Sequence, residues 1–263
     1  MATVHEILTL LETLAPRHMK MDWDNVGLLC GSRKSEVTKV LVALDPFEGV
    51  CKEAVDCGAQ LIVTHHPLIF QALKSVTDET SIGRSIQLLC ENRISAINAH
   101  TNLDCAPGGV NDRLAAALGL ENITVIDPMG TDENGREWGL LRRGSVDAQP
   151  LSAFLPTVKA ALGCEGLRYV DAGHPVRNVA VGGGACASEI WDAVKAGCDT
   201  FVTSDVKYNQ FWDAYDFGLN LIDAGHFHTE NPVTACLAEK IAAAFPDVEV
   251  KISETHRDCV KFY

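Results

Sequence analysis

The chain has 263 residues, 47% hydrophobic and 22% charged, with Lys+Arg 22 against Asp+Glu 35 for a formal net charge of -13. That length holds one large domain or two small ones, and the acidic balance argues against a nucleic-acid binder or a protein docked on an anionic membrane. No apolar run approaches the roughly 20 residues of a membrane span. The opening residues MATVHEILTLLETLA lack the basic start and cleavage site of a secretory signal, so a cytoplasmic location is expected.

Val4, Ile7, Leu8, Leu11 and Leu14 recur with helical spacing, and Pro16 follows them. Residues 21–32 (MDWDNVGLLCGS) are rich in turn formers around one aromatic. Residues 39–44 (KVLVAL) predict a buried strand, and residues 48–57 predict a helix stopped by Gly58. A second strand, Leu61–Thr64, runs into His65, His66 and Pro67. A helix over 83–91 and a strand over 94–98 that leads to His100 complete a strand–helix–strand alternation, the signature of a parallel sheet.

The same order returns after about 139 residues. Val179 to Val181 resembles Val40 to Val42, FVTSD lies over IVTHH, and NLIDAGH echoes ISAINAH. Two related α/β units follow from this. Residues 127–149 are rich in Gly, Asp and Arg, have little periodicity and read as the crossing between units. A helix is expected over Leu151–Leu162, another from Pro232 to Phe245 behind an Asn231 cap, and a final strand near 248–252.

The ten cysteines contain no C-x-x-C pair and sit mostly in apolar or helix-like contexts, as in SIQLLC at 85–90. They read as small hydrophobes in a reducing compartment. The histidines are distributed differently. In open α/β sheets ligands collect beyond the carboxyl ends of strands, and three strand ends carry His65 and His66, His100, and His226. Asp104 lies four residues past His100, while His228 and Glu230 follow His226. Imidazole with carboxylate suits zinc, iron, manganese or nickel, and two such ions 3.5–4 Å apart could share and deprotonate a water. Each residue also has a plainer reading. A strand-end histidine can be a hydrogen-bonded loop residue, Asp104 can shape the turn before APGGVND, and Glu230 can favour the dipole of the helix at Pro232.

MDWDNVGL, IVTHHPLIF, NAHTNLDCAPGGVNDRLA and GHFHTE together resemble the family of GTP cyclohydrolase 1 type 2 homologues, also called the Nif-three-like or dinuclear-metal-centre hexamer family. The resemblance runs from about Asp22 to Glu230. It implies an α/β fold of two related α/β domains with mixed or mostly parallel sheets and a metal site in the inter-domain cleft. It also implies two divalent metal ions per subunit on His65, His66, Asp104, His226 and Glu230, a toroidal homohexamer, and a small-molecule substrate that is a nucleotide if the family's named reaction applies. Because the C-terminal segment of compact members returns to the first domain, the domains are placed at 1–126 with 233–263, and at 127–232.

His100 is a candidate proton shuttle or support for the ligands, and His228 a candidate substrate contact. Asp22, Asp24 and Asn25 either line the site or shape a turn. Gly182 to Gly184 follows a strand and could approach a phosphate, though no nucleotide-binding glycine pattern is present. The expected activity is metal-dependent hydrolysis, with opening of the imidazole ring of GTP as the family's named reaction. The alternative is a non-catalytic metal-binding, metal-trafficking or scaffold hexamer. Nucleic-acid binding would need a basic groove, and Arg142 with Arg143 is only a dipeptide.

Overall fold

A computed structural model describes residues 1–263 as a mixed α/β protein. The chain divides into two compact units, Met1–Leu103 with Val233–Arg257, and Asp104–Pro232 with Asp258–Tyr263.

The sheet of the first unit runs in the order Glu249–Ile252, Lys39–Ala43, Leu61–Thr64, Ser95–Asn98, Gly27–Cys30. The first four strands are parallel and the last is antiparallel. Val40, Leu41, Val42, Leu61, Ile62 and Val63 are all fully buried, as expected of parallel strands covered on both faces. Helix Val4–Leu14 starts at a capping box, where the Thr3 side chain accepts from the Glu6 N–H and the Glu6 carboxylate accepts from the Thr3 N–H. Helices Glu48–Asp56 and Ser81–Glu91 cover one face and share a core with Leu41, Ile62 and Ile94. Gly58, with φ of 71°, ends the first of these, as its position in the sequence predicts.

The second unit repeats the plan. Its sheet runs Arg168–Val170, Asn220–Asp223, Thr200–Thr203, Val176–Val181, Leu141–Gln149, Glu121–Ile126. The middle strands Val176–Val181, Thr200–Thr203 and Asn220–Asp223 are parallel to one another, and the outer pairings are antiparallel. The repeat holds in register. Val40 faces Leu61 in the first sheet and Val179 faces Thr200 in the second, while Leu61 faces Ser95 as Thr200 faces Asn220.

Two boundaries differ from the sequence expectation. The units divide inside the short helix Thr101–Cys105, not near residue 127. Helix Val110–Ala117 puts Leu114 and Ala115 into the second unit's core, and strand Glu121–Ile126 pairs with Leu141–Gln149. Residues 127–149 are therefore largely strand. Their pattern hides this because Arg142, a polar letter in the sequence, is 1% exposed near the start of strand Leu141–Gln149. The tail also parts from the first unit after Arg257. Asp258 meets His228 and Lys261 meets Glu165, both in the second unit, and the ring of Phe262 lies against Gly166.

The strand Glu249–Ile252 is fastened by one carboxylate. Glu53, in helix Glu48–Asp56, accepts hydrogen bonds from the Ser253 hydroxyl and the N–H groups of Glu254 and Thr255. Burial pushes its pKa up, but those donors outweigh it and hold the carboxyl below its usual value. A depressed pKa contributes stability above the ordinary carboxylate range that fades as pH falls through the folded value. Glu53→Ala is expected to cost about 1–3 kcal/mol at pH 7. Urea unfolding should show the gap from wild type closing as pH drops below about 4, and a gap independent of pH would contradict this.

Candidate metal centre

Proline after His66 and the turn after Asn98 end two neighbouring parallel strands, and so bring their terminal histidines together. In the first unit the ligand nitrogens of His65, His66 and His100 lie within 4.8 Å of one another, and their donor set could hold a metal ion. The rings stand 4.8, 5.2 and 5.4 Å apart between centroids. His65 is fully buried, while the other two are partly exposed.

Each of these imidazoles is held from behind. The Nδ1 of His65 lies 2.9 Å from the carbonyl oxygen of Ala99. A carbonyl can only accept, so Nδ1 carries the proton and Nε2 presents its lone pair. The Nδ1 of His66 is 2.7 Å from Asp45, and the Nδ1 of His100 is 2.8 Å from Asp24. This is the arrangement by which metal ligands are oriented and made more basic. Asp45 also takes Nε2 of His256 at 2.8 Å, and the His256 ring stacks on Phe47. Asp24 also accepts from the N–H of Thr101 at 3.0 Å and from its hydroxyl. Burial opposes ionisation of both carboxyls, but the hydrogen bonds prevail, from His256 and His66 at Asp45 and from His100 and Thr101 at Asp24. Both pKa values end well below the usual carboxylate range.

The second unit presents an acidic set. Helix His226–Glu230 is entered through Gly225, whose φ of 84° suits a residue without Cβ, and puts His226 and Glu230 one turn apart. His226 Nδ1 is 2.7 Å from Asp205, and its Nε2 is 3.1 Å from Glu230 Oε2. With the Nδ1 proton given to Asp205, the Nε2 lone pair faces a carboxylate oxygen, and only a proton or a metal cation makes that contact favourable. A carboxylate oxygen of Asp104 lies within 4.8 Å of one of Glu230, and both side chains are buried. Burial first, then the nearby charges of Asp104 and Glu230, pushes the Cys186 thiol well above its usual pKa. Cys186 is thus kept as a neutral thiol beside a negative field.

The chain is shaped around these carboxylates. A Cβ at Gly184 would collide with Glu230 Oε1 and come within 3.2 Å of His226 Nε2. The N–H of Gly183 donates to Asn111 Oδ1 at 2.7 Å, and that of Gly184 to the Thr229 hydroxyl at 3.0 Å. The glycine run therefore makes room for the acidic set and has spent its donors internally, which withdraws its reading as a phosphate loop. Asn111 also donates to the Leu140 carbonyl at 2.7 Å and, at 3.2 Å, to that of Asp104, tying the ligand's own backbone in place. Beneath it, the Arg142 guanidinium pairs with Asp112 at 2.6 Å and donates to the carbonyls of Cys105, Ala106 and Gly139. Arg142 is buried and satisfied, so the Arg142 and Arg143 dipeptide is no phosphate-binding patch.

The other candidates fall as follows. Asp24 is the carboxylate behind His100 and not merely a turn former. His228 is gripped at both nitrogens, by the Leu162 carbonyl and by Asp258, and so anchors the C-terminal tail while lining a cavity of about 340 Å³ with His226, Arg168 and Phe262. Sequence reasoning missed Asp45 and Asp205, although the repeat had laid FVTSD over IVTHH and so set Asp205 opposite His66. It also missed Trp23 and Phe70, exposed rings 5.9 Å apart and edge-on that flank His100 at 6.3 and 6.1 Å.

Over residues 2–259 the chain matches the family described as Duf34/NIF3 (NGG1p interacting factor 3). It belongs to that family. Among NIF3-family relatives, the "GTP cyclohydrolase 1 type 2 homolog" of Clostridium perfringens is 36% identical, covering 98% of this chain and 99% of the relative. The "GTP cyclohydrolase 1 type 2" of Helicobacter pylori is 31% identical, covering 91% of each. A Bacillus cereus protein related to NIF3 superposes with a TM-score of 0.94 at 28% identity, covering 100% of this chain and 99% of the other.

For this NIF3-family chain, Arg142 gives a direct test of how the Asp104 segment is held. Replacing it by an uncharged side chain leaves Asp112 without its cation, and breaking a buried ion pair in this way costs about 3–5 kcal/mol. Arg142→Met should lower the urea unfolding free energy by roughly that amount. A loss under about 1 kcal/mol, the worth of an exposed pair, would contradict this.

Proposed function

We propose that this protein is a metal-dependent hydrolase whose His65, His66, Asp104, His226 and Glu230 together hold two divalent ions drawn from zinc, iron, manganese or nickel. The observation that carries the reading is the common treatment of His65, His66 and His226: each has Nδ1 against an oxygen acceptor, leaving Nε2 as the ligand atom. Carboxylate and imidazole donors suit borderline and hard divalent metals, and the side-chain groups close enough to hold an ion contain no cysteine. Bound ions supply Lewis-acid polarisation of a substrate and ready deprotonation of a water.

The chain's own residues supply the rest. His100, oriented by Asp24, is placed to move a proton during attack and leaving-group departure. Trp23 and Phe70 beside it offer faces on which a planar base can stack. Both features support a nucleotide substrate, and the relatives' names point to GTP, for which hydrolytic opening of the imidazole ring is the reaction proposed. A formal net charge of -13 means that the anionic phosphates need the metals, or basic residues gathered in an assembly, to be drawn in. A homohexamer, as the family resemblance implies, is the assembly proposed. No helix is long and apolar enough to cross a membrane.

Metal analysis of gently purified protein should return about two ions per chain. His66→Ala and Glu230→Gln, one from each unit, should each lower that content, and each should reduce hydrolysis of GTP by about 100-fold or more. His100→Gln should retain metal and lose turnover. Loaded protein that turns over neither GTP nor a panel of phosphoesters would defeat the enzymatic reading and leave a metal-binding hexamer. Protein that takes up no metal would defeat both.

A further inference from the structure

Away from the histidines, the first unit holds a pair of neighbouring thiols. Cys30 ends the edge strand Gly27–Cys30, and Cys90 lies in the last turn of helix Ser81–Glu91. Their Sγ atoms are 3.7 Å apart although the residues are about 60 positions apart in sequence. Cys90 is exposed and Cys30 half-buried.

The backbone brings the two thiols together. In the edge strand Leu28 pairs with Ile97 and Cys30 with Ala96, so Leu29 is an extra residue and the strand bulges there. A bulge breaks the alternation of faces. Leu29 and Cys30 accordingly pack against the same core, the one that also takes Ile86 and Leu89 from the helix bearing Cys90. The next residue, Gly31, has φ of 98°, and a Cβ there would overlap the Ser95 side chain. The strand end that carries Cys30 is thereby seated against the strand that follows Cys90.

We propose that Cys30 and Cys90 form a reversible redox pair, closed to a disulfide by hydrogen peroxide and reopened by a dithiol. Cys90, reachable from solvent, attacks peroxide as the thiolate. One oxygen passes to its sulfur, giving a sulfenic acid, and hydroxide leaves with the proton released by the thiol to become water. The Cys30 sulfur then attacks the sulfenic sulfur and loses its proton, and a second water leaves as the S–S bond forms. Two thiols and one peroxide give one disulfide and two waters. Bond formation requires the sulfurs to close by about 1.7 Å from their 3.7 Å contact, which rotation of the exposed Cys90 side chain can largely supply. Cys90 is exposed and Cys30 half-buried, which puts Cys90 first and leaves Cys30 as the resolving group, and burial, then the neighbouring Cys90, pushes the Cys30 thiol up to about 12. The bond would tie the edge strand to the helix and close a loop of some 60 residues, and so stiffen the strand that follows Asp24, the carboxylate behind His100.

The test uses the full chain, reduced, freed of reductant and exposed to low-millimolar hydrogen peroxide. Non-reducing peptide mapping should find the peptides containing Cys30 and Cys90 joined, two hydrogens lighter than their sum, and separated again by dithiothreitol. Cys30→Ser, its fold checked by circular dichroism, should instead accumulate a sulfenic acid at Cys90 that dimedone traps. The oxidised wild type should melt several degrees higher than the reduced form, and Cys90→Ser should show no such shift. Cys259, also exposed, is the internal control for indiscriminate oxidation. Over-oxidation of Cys90 without the linked peptide, or links between chains in its place, would overturn the proposal. Cross-linking of Cys259 at the same rate would overturn it as well.

Discussion

The fixing of each site imidazole through its Nδ1 is the interaction on which the rest of the site depends. A histidine offers metal a lone pair from only one nitrogen at a time, and the other nitrogen's partner decides which one. Here the partner is always an oxygen from another part of the same unit: the Ala99 carbonyl, Asp45, Asp24 or Asp205. Side chains at the ends of strands would otherwise sample several rotamers and both tautomers. The fold removes that freedom before any ligand arrives, and the site is preorganised.

Preorganisation of this kind has a structural cost. Asp24 and Asp45 are ionised carboxylates in largely buried positions, which burial alone would disfavour. They remain charged because histidines and, for Asp24, Thr101 supply hydrogen bonds that outweigh the desolvation. Asp104 and Glu230 are brought close together on the acidic side, where like charges repel. The first unit thus brings three imidazoles together, and the second brings two carboxylates together beside His226. An apolar core of the same volume would be more stable. The arrangement makes sense as a receptor for cations, and Arg142 and Asn111 are the buried polar groups that keep its backbone from relaxing.

The larger features were legible from local pattern. Continuous apolar runs gave the parallel strands, and a repeat of about 139 residues gave the second unit, because fully buried strands and helix stops leave marks within a few residues. The histidines at strand ends were visible for the same reason. What escaped depended on contacts distant in sequence. Asp24 and His100 are 76 positions apart, and Asp45 and His256 are 211 apart. No spacing rule announces either pair. Strand Leu141–Gln149 was hidden by a buried arginine near its start, and the contact of Cys30 with Cys90 by a one-residue bulge. Polar groups buried in pairs read as surface until their partners are known.

The central claim is that imidazole and carboxylate, with no thiolate, form the first coordination sphere of a metal. X-ray absorption of the purified, metal-loaded protein at the metal edge tests it most directly. The account predicts a shell of nitrogen and oxygen at about 2.0–2.2 Å with the multiple-scattering pattern of imidazole, and no sulfur shell. Sulfur at about 2.3 Å would mean that cysteine holds the metal, and the account of the site given by its histidines and their oxygen partners would be contradicted.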